Sequence, residues 1–272
     1  MPNLNELKHI ALKGEGYFCL VKKYYDEKTG KNYAKKELKK KFYSNEDYRY
    51  RLLREIKFLS DLQECENIVN LFDYGNDSKN ESLWYLMPYA NQNLYEYIKK
   101  NNETIEKVER YSIVEQILNA LKYAHSKNIL HRDISPNNVL IFFKEKRPII
   151  KMSDFGLGKD TESVSYYTKS SVSGYGQILY VSPEQRKHLK DATKKSDIYS
   201  LGKLVYFIFT GKDPDNLNPF ELSSLVKKAT EENPKDRFDS IEDFESYFIS
   251  LKDLQYNQSI PIDYITLSDA LE

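Results

Sequence analysis

The stretch His131-Arg132-Asp133-Ile134-Ser135-Pro136-Asn137-Asn138, followed sixteen residues beyond Asn138 by Asp154-Phe155-Gly156, decides how this chain is read. It sets a carboxylate and a carboxamide in one short block, with a second carboxylate in front of a glycine. Either triplet alone arises often by chance, so the weight lies in their order and in what surrounds them. Upstream, residues 7–38 alternate in β-rich segments broken by Gly14-Glu15-Gly16 and by Asp26-Glu27-Lys28-Thr29-Gly30-Lys31, which predicts three antiparallel strands joined by turns. Residues 48–62 then carry Leu52, Leu53, Ile56, Leu59 and Leu62 at helical spacing. Strands are predicted at 68–74 and 83–87 around a polar turn at 76–81, and helices at 94–100 and 108–126. The chain is thus β-rich in its first third and helical afterwards, without an internal repeat.

Composition narrows the function classes. A chain of 272 residues fits one bilobal domain or two modest ones. Lys plus Arg and Asp plus Glu both number 41, and no run concentrates positive charge into a nucleic-acid groove. The locally basic residues 35–41 read as a solvated strand end and loop. The longest apolar run, 204–209, is far below the roughly 20 residues of a membrane helix, so no membrane partner is expected. No signal peptide is evident. Two cysteines, Cys19 and Cys65, lack metal or disulfide spacing and suggest a reducing, cytoplasmic setting.

The two blocks and their surroundings resemble the protein kinase family, and the resemblance can be followed over residues 7–251. It implies an α+β, bilobal protein-kinase-like fold with a small β-rich N-lobe and a larger, mainly helical C-lobe. The expected division is an N-lobe at 1–88, with five strands and one helix, a C-lobe at 89–254, and a tail or the start of a further segment at 255–272. The implied cofactors are ATP and Mg²⁺, and the implied partner is a protein substrate. Asp133 would accept the substrate hydroxyl's proton, while Asn138 and Asp154 would bind metal.

Further positions follow from the same resemblance. Gly14-x-Gly16 with Val21 is similar to the glycine-rich loop over the phosphates, and Cys19 stands where the family has a third glycine. Ala34-Lys35-Lys36 matches the strand-three motif at its alanine and final lysine. Lys36 would then meet the α- and β-phosphates, paired with Glu55, and strand alternation makes Lys35 the solvated neighbour. Met87-Pro88-Tyr89-Ala90 resembles the hinge: Met87 lies behind adenine, the Pro88 carbonyl accepts and the Ala90 N–H donates. Val21, Ala34 and Leu140 would sandwich the base. His131 is expected to pack on Phe155. Ser182-Pro183-Glu184, Asp197 and Arg237 are similar to late motifs of protein kinases, with Arg237 paired to Glu184 and Asp197 holding the catalytic-loop backbone. Small-molecule kinases of the same fold generally lack these. A pseudokinase scaffold is the other alternative, but such proteins usually lose Lys36, Asp133 or Asp154, and all three are present.

Some positions depart from the family. Ser135 replaces the lysine that contacts the γ-phosphate in Ser/Thr kinases, and Gln177 replaces the threonine that bonds the catalytic aspartate. The tyrosine-kinase loop Ala-Ala-Arg-Asn is not matched either, and Pro136 keeps the Ser/Thr pattern, which favours Ser/Thr acceptors. The segment between Gly211-Lys212-Asp213-Pro214 and a helix near 222–230 is short for the family. Arg132 beside the aspartate implies control by activation-loop autophosphorylation at Thr168, Ser170 or Ser171, with Lys159 as a second cation.

Overall fold

The computed structural model describes residues 2, 4–155 and 174–259. The expectations for Gly156, Lys159, Thr168, Ser170, Ser171 and the tail 260–272 concern residues outside these.

Five antiparallel strands form the first lobe: β1 (Lys8–Glu15), β2 (Cys19–Asp26), β3 (Lys31–Leu38), β4 (Asp73–Asp77) and β5 (Ser82–Pro88), in the order β1-β2-β3-β5-β4. The β2–β3 turn closes because Asp26 works twice. Its carbonyl accepts from Gly30 N–H at 2.8 Å and its carboxylate from Thr29 Oγ1 at 2.7 Å, with Gly30 at a φ of 69° that suits glycine. Helix α1 (Glu46–Asp61) is capped by the Asn45 side chain, which accepts from Tyr48 N–H. It buries Leu52, Ile56 and Leu59 against the sheet, and Glu55 lies among them.

Three expectations need correction. The strand foreseen at 68–74 lies at Asp73–Asp77, and the turn foreseen from residue 76 is correspondingly shorter. Residues 67–69 instead bond the end of β8, Met152 N–H to Asn67 O at 2.8 Å and Val69 N–H to Met152 O at 2.9 Å. Lys35 is buried, not solvated: it pairs with Glu37 at 2.7 Å and lies 5.2 Å from the Trp84 ring centre. Alternation puts Lys35 opposite Lys36 as predicted, but that other face is itself covered by Leu7, Tyr33 and Leu86 with Phe72 and Trp84. Finally, the last helix runs to Ser259, so residues 255–259 continue it.

The second lobe is mainly helical: α2 (Leu94–Asn101), α3 (Lys107–Ser126), the short α4 (Gly174–Gln177) and α5 (Pro183–Lys187), then α6 (Lys194–Thr210), α7 (Ser223–Ala229) and α8 (Ile241–Ser259). A small sheet of β6 (Gln92–Asn93), β7 (Val139–Lys144) and β8 (Arg147–Met152) lies against α3. Helix α6 is buried along nearly its whole length, as its apolar run Leu204-Val205-Tyr206-Phe207-Ile208 requires. It packs so closely on α7 that a Cβ on Gly202 would stand 2.7 Å from Ala229 Cβ. One apolar cluster runs from Ala34 and Leu59 through Met87, Val139 and Leu121 to Phe248, so both lobes share a core and the cleft is built on it.

Arg237 holds the end of that lobe together. Its Nη1 and Nη2 donate to the two Glu184 carboxylate oxygens at 2.8 and 2.9 Å, as the sequence led us to expect, and its side chain has no exposed area. Burial works against the Glu184 charge, yet Arg237 and Ser196 keep its carboxyl below the usual range. Arg237→Ala leaves that carboxylate without its cation and is expected to destabilise the fold by about 3–5 kcal/mol. A urea titration reads this as a lower midpoint; an unchanged midpoint would remove Arg237 from the framework.

Candidate active site

Two strand pairings bring the chemistry-bearing side chains together. In the first lobe Lys36 on β3 is the cross-strand partner of Tyr85 on β5, and α1 packs Glu55 against both. Lys36 Nζ lies 2.8 Å from Glu55 Oε1 and 3.0 Å from Asp154 Oδ1. In the second lobe β7 and β8 pair Val139 with Met152, which sets Asn138 beside Ser153. Ser153 N–H and Oγ both donate to Asn138 O, at 2.9 and 3.1 Å, so the carboxylate of Asp154 starts next to the carboxamide of Asn138.

The loop between α3 and β7 is held from beneath by Asp197 at the start of α6. Its carboxylate accepts from His131 N–H at 2.9 Å and Arg132 N–H at 2.8 Å, and His125 Nε2 lies 2.9 Å away. Burial opposes charge on Asp197, but His125 and these N–H groups outweigh it and hold its carboxyl below the ordinary range. Arg132 has a φ of 67° and Asp154 a φ of 62°, conformations unfavourable for residues with a Cβ that persist where surrounding contacts impose them. His131 packs on Phe155 with ring centres 4.5 Å apart, and burial lowers its basicity, in line with a packing role.

Asp133 is nearly buried, and its carboxylate is oriented from two sides. Asn138 Nδ2 donates to Oδ2 at 2.9 Å and to the Asp133 carbonyl at 2.8 Å. Gln177 Nε2 lies 2.7 Å from each carboxylate oxygen. The glutamine that breaks the family pattern therefore still bonds the aspartate, reaching it with a longer side chain. Ser135 does not replace the missing lysine: its Oγ is buried and has no hydrogen-bond partner among the described residues. Burial raises the Asp133 carboxyl to about 6, opposed by the bonds from Asn138 and Gln177, with the charge of Asp154 raising it further.

One ammonium serves two carboxylates across the lobes. Burial works against the charge on Lys36, but Asp154 and Glu55 outweigh it and hold its pKa well above the usual value. The carboxylates divide the benefit unequally: Asp154 stays below its ordinary value despite burial, whereas burial lifts Glu55 to about 7 against the pull of Lys36. Tyr85, unremarked in the sequence, donates its hydroxyl to Glu55 Oε1 at 2.7 Å and is fully buried. A signal for it existed. Tyr85 shares the inward parity of Leu83 and Met87 on β5, and a buried phenol needs a polar partner.

A cavity of about 280 Å³ is lined by Gly14, Gly16, Cys19, Val21, Lys36, Asp133, Asn138, Asp154 and Gln177. A Cβ on Gly14 or Gly16 would meet nothing closer than 3.6 Å, so neither local crowding nor backbone angle demands glycine there. Any need for a bare backbone comes from what the cavity receives. Cys19 is buried on β2, opposite Leu38, and burial raises its thiol far above the ordinary value. Ala34 and Met87 are cross-strand partners and are buried, Pro88 pairs with Tyr33, and Val21 and Leu140 are partly buried against the same core. Ala90 follows, in the strand-free link to β6.

Two outcomes are expected from this geometry. Because Lys36 and Glu55 each depend on the other for position, Lys36→Met and Glu55→Gln are expected to combine non-additively in kcat/KM; independent multiplication in a double-mutant cycle would contradict a working ion pair. As pH falls, Glu55 protonates at about 7 and Asp133 at about 6. Turnover should therefore fall on the acid side across that window, and Gln177→Ala, which removes a bond that favours the ionised Asp133, should move the fall to higher pH. A pH–rate profile flat from 5.5 to 8 would contradict both assignments.

The chain belongs to the protein kinase family: the sequence profile of the protein kinase domain matches residues 7–251. It is 30% identical over 271 residues to calcium-dependent protein kinase 4 of Plasmodium berghei (strain Anka), covering 98% of this chain and 48% of that protein. It is 32% identical over 231 residues to the serine/threonine-protein kinase PrkC of Bacillus subtilis (strain 168), covering 75% and 34%. The chain thus spans about half the length, or less, of these curated relatives. Among solved structures, the kinase domain of Mycobacterium tuberculosis PknI, as a double mutant, superposes with a TM-score of 0.68 at 21% identity, over 91% of this chain and 96% of that one. That similarity establishes the bilobal α+β fold.

Proposed function

We propose that this chain transfers the γ-phosphoryl group of ATP to hydroxyl groups of proteins, with serine or threonine as acceptor. The observation that carries the reading is the Glu55–Lys36–Asp154 bridge across the cleft, with Asp133 in the same cavity. In this reading Gly14, Gly16, Lys36 and Glu55 serve the phosphates. Val21, Ala34, Met87, Pro88, Ala90 and Leu140 serve the adenine. Asp133 accepts the proton of the attacking hydroxyl, and Gln177 and Asn138 keep its carboxylate aimed.

The donor set suits Mg²⁺. Asn138 spends its N–H₂ group on Asp133, which leaves its carbonyl oxygen available, and Asp154 engages Lys36 through Oδ1, which leaves Oδ2. Two hard oxygen donors are few for a protein cage, but Mg²⁺ usually keeps waters and takes phosphate oxygens for the remaining positions. When bound, the ion would neutralise charge developing on the phosphates. Among the described residues no helix is long and apolar enough to cross a membrane. Buried free thiols at Cys19 and Cys65 suit a reducing cytoplasm, which we take as the site of action.

Activation-loop autophosphorylation belongs to the same reading, with Arg132 as the cation nearest the catalytic aspartate in sequence. The test is an assay of ATP consumption against parallel panels of protein and metabolite acceptors. Transfer to proteins alone supports the proposal. Transfer only to metabolites would overturn it, as would nucleotide binding without transfer to any acceptor.

A further inference from the structure

We propose that Tyr17 is a positioning residue of the cleft: its ring clamps the turn between β1 and β2 onto helix α1, so that the turn over the phosphates and the helix carrying Glu55 are held as one unit. This rests on the protein kinase reading, since it assigns a residue to the placement of that same nucleotide. The turn spans residues 16–18, between the end of β1 at Glu15 and the start of β2 at Cys19. Tyr17 sits at its tip, and it lines the cavity that holds Lys36, Asp133 and Asp154.

The turn has little of its own to fix it. Gly16 N–H donates to Cys19 O at 3.0 Å, but Gly14 and Gly16 meet no crowding that would restrict their backbone. Lys39 N–H donates to Phe18 O at 2.8 Å and fastens the second arm. The first arm has an ion pair, Lys39 Nζ to Glu15 Oε1 at 2.7 Å, yet the Glu15 side chain is 61% exposed and such a pair contributes little. The tip is left to the rings.

The Tyr17 ring centre lies 5.4 Å from that of Phe42 and 5.9 Å from that of Tyr48. Phe42 and Tyr48 are 4.7 Å apart, and Phe18 stacks on Tyr48 at 5.5 Å. All four separations fall where aromatic pairs attract. Phe18, Phe42 and Tyr48 pack against the main core, whereas Tyr17 is 38% exposed. A tyrosine placed for core packing would be buried; this one reaches from the turn onto rings that the core already holds. Tyr48 stands in the first turn of α1, where the Asn45 cap fixes its N–H. Tyr48, Leu52 and Glu55 follow one another at spacings of four and three residues and so share a helix face. A phosphate group held under the turn therefore stabilises the face that carries Glu55, and Glu55 in place pre-forms the turn, a coupling that must act equally in both directions.

The test measures, by titration calorimetry, the affinities of Mg-ATP and of adenosine for the full chain and its variants. Adenosine lacks the phosphates, so it reports the base pocket and the folding of each variant in the same sample. Tyr17→Ala is expected to weaken Mg-ATP about tenfold through lost pre-organisation of the turn, while adenosine stays within about twofold. Tyr17→Phe keeps the ring and should stay within about threefold of wild type for both. Tyr48→Ala should weaken Mg-ATP about as much as Tyr17→Ala, and the double variant little more, because either loss opens the clamp. In a Glu55→Gln background Tyr17→Ala should cost less than about threefold. Unchanged Mg-ATP affinity in Tyr17→Ala would overturn the proposal, as would an equal loss of adenosine, an equal loss in Tyr17→Phe, or a full tenfold cost that persists without Glu55. A phosphate-transfer assay separates the two readings: the expected binding pattern without transfer would leave the clamp standing and overturn the kinase reading, and transfer with no response of Mg-ATP to Tyr17→Ala would do the reverse. A wild-type chain that binds no Mg-ATP would overturn both.

Discussion

Asp133→Asn is expected to lower kcat by about 10²- to 10⁴-fold, the usual contribution of a positioned proton acceptor, while nucleotide affinity stays nearly unchanged. The reason is local. The Asp133 carboxylate is fixed by Asn138 on one oxygen and Gln177 on both, and burial raises it to about 6, so it is ionised at neutral pH yet basic enough to take a proton. Asparagine keeps the size and one acceptor but cannot hold the proton. Gln177 Nε2, which contacts both carboxylate oxygens, would also face the N–H₂ that asparagine puts in place of one of them, so the side chain is expected to turn. Single-turnover phosphotransfer and a fluorescent-nucleotide titration separate the two effects. Wild-type turnover would remove Asp133 from the chemistry, and a parallel loss of nucleotide binding would make its role structural.

Asp154→Asn should fail differently. Asp154 holds one oxygen against Lys36 at 3.0 Å and offers the other to the cavity, and its charge is part of what raises Glu55. In the proposed Mg²⁺ site Asp154 would be the strongest oxygen donor, so with that charge removed Mg²⁺-dependent nucleotide affinity and kcat should fall together, kcat by at least about 10²-fold. The substitution also lets Lys36 pair with Glu55 alone, so binding of nucleotide without Mg²⁺ should change far less. Nucleotide titrations with and without Mg²⁺ check this. An unaltered Mg²⁺ dependence would exclude Asp154 as a ligand.

The residues legible in the sequence are those whose spacing is set within one short segment. Asp133 and Asn138 lie on one loop, and Asp154 follows the strand that pairs with it, so their proximity is built into a single hairpin. Glu55 is legible only through the family resemblance, because a glutamate on an amphipathic helix reads by itself as a surface residue; the fold buries it on the inner face of α1 with Leu52, Ile56 and Leu59. What stayed hidden depends on which side of an element something else covers. Lys35 has the predicted strand parity but is buried because residues from 4 to 7 and 72 fold over the outer face of the sheet. Strand β4 is displaced because the apolar residues 68–69 serve the junction with β8, where hydropathy cannot distinguish them from a strand. Residue type alone marks Gln177 as a lost contact, because sequence does not show how far its side chain reaches. A longer side chain restores the bond to Asp133 that threonine makes in the family.

The proposed activity of this cleft is transfer of a phosphoryl group from ATP to protein. It is tested most directly by incubating the chain with γ-labelled ATP and Mg²⁺ and mapping labelled residues, on the chain and on an added protein acceptor, by mass spectrometry. Label is expected on serine or threonine with the wild-type chain and none above background with Asp133→Asn or Asp154→Asn. Absence of label on any protein with the wild-type chain, or equal labelling by all three, would contradict it.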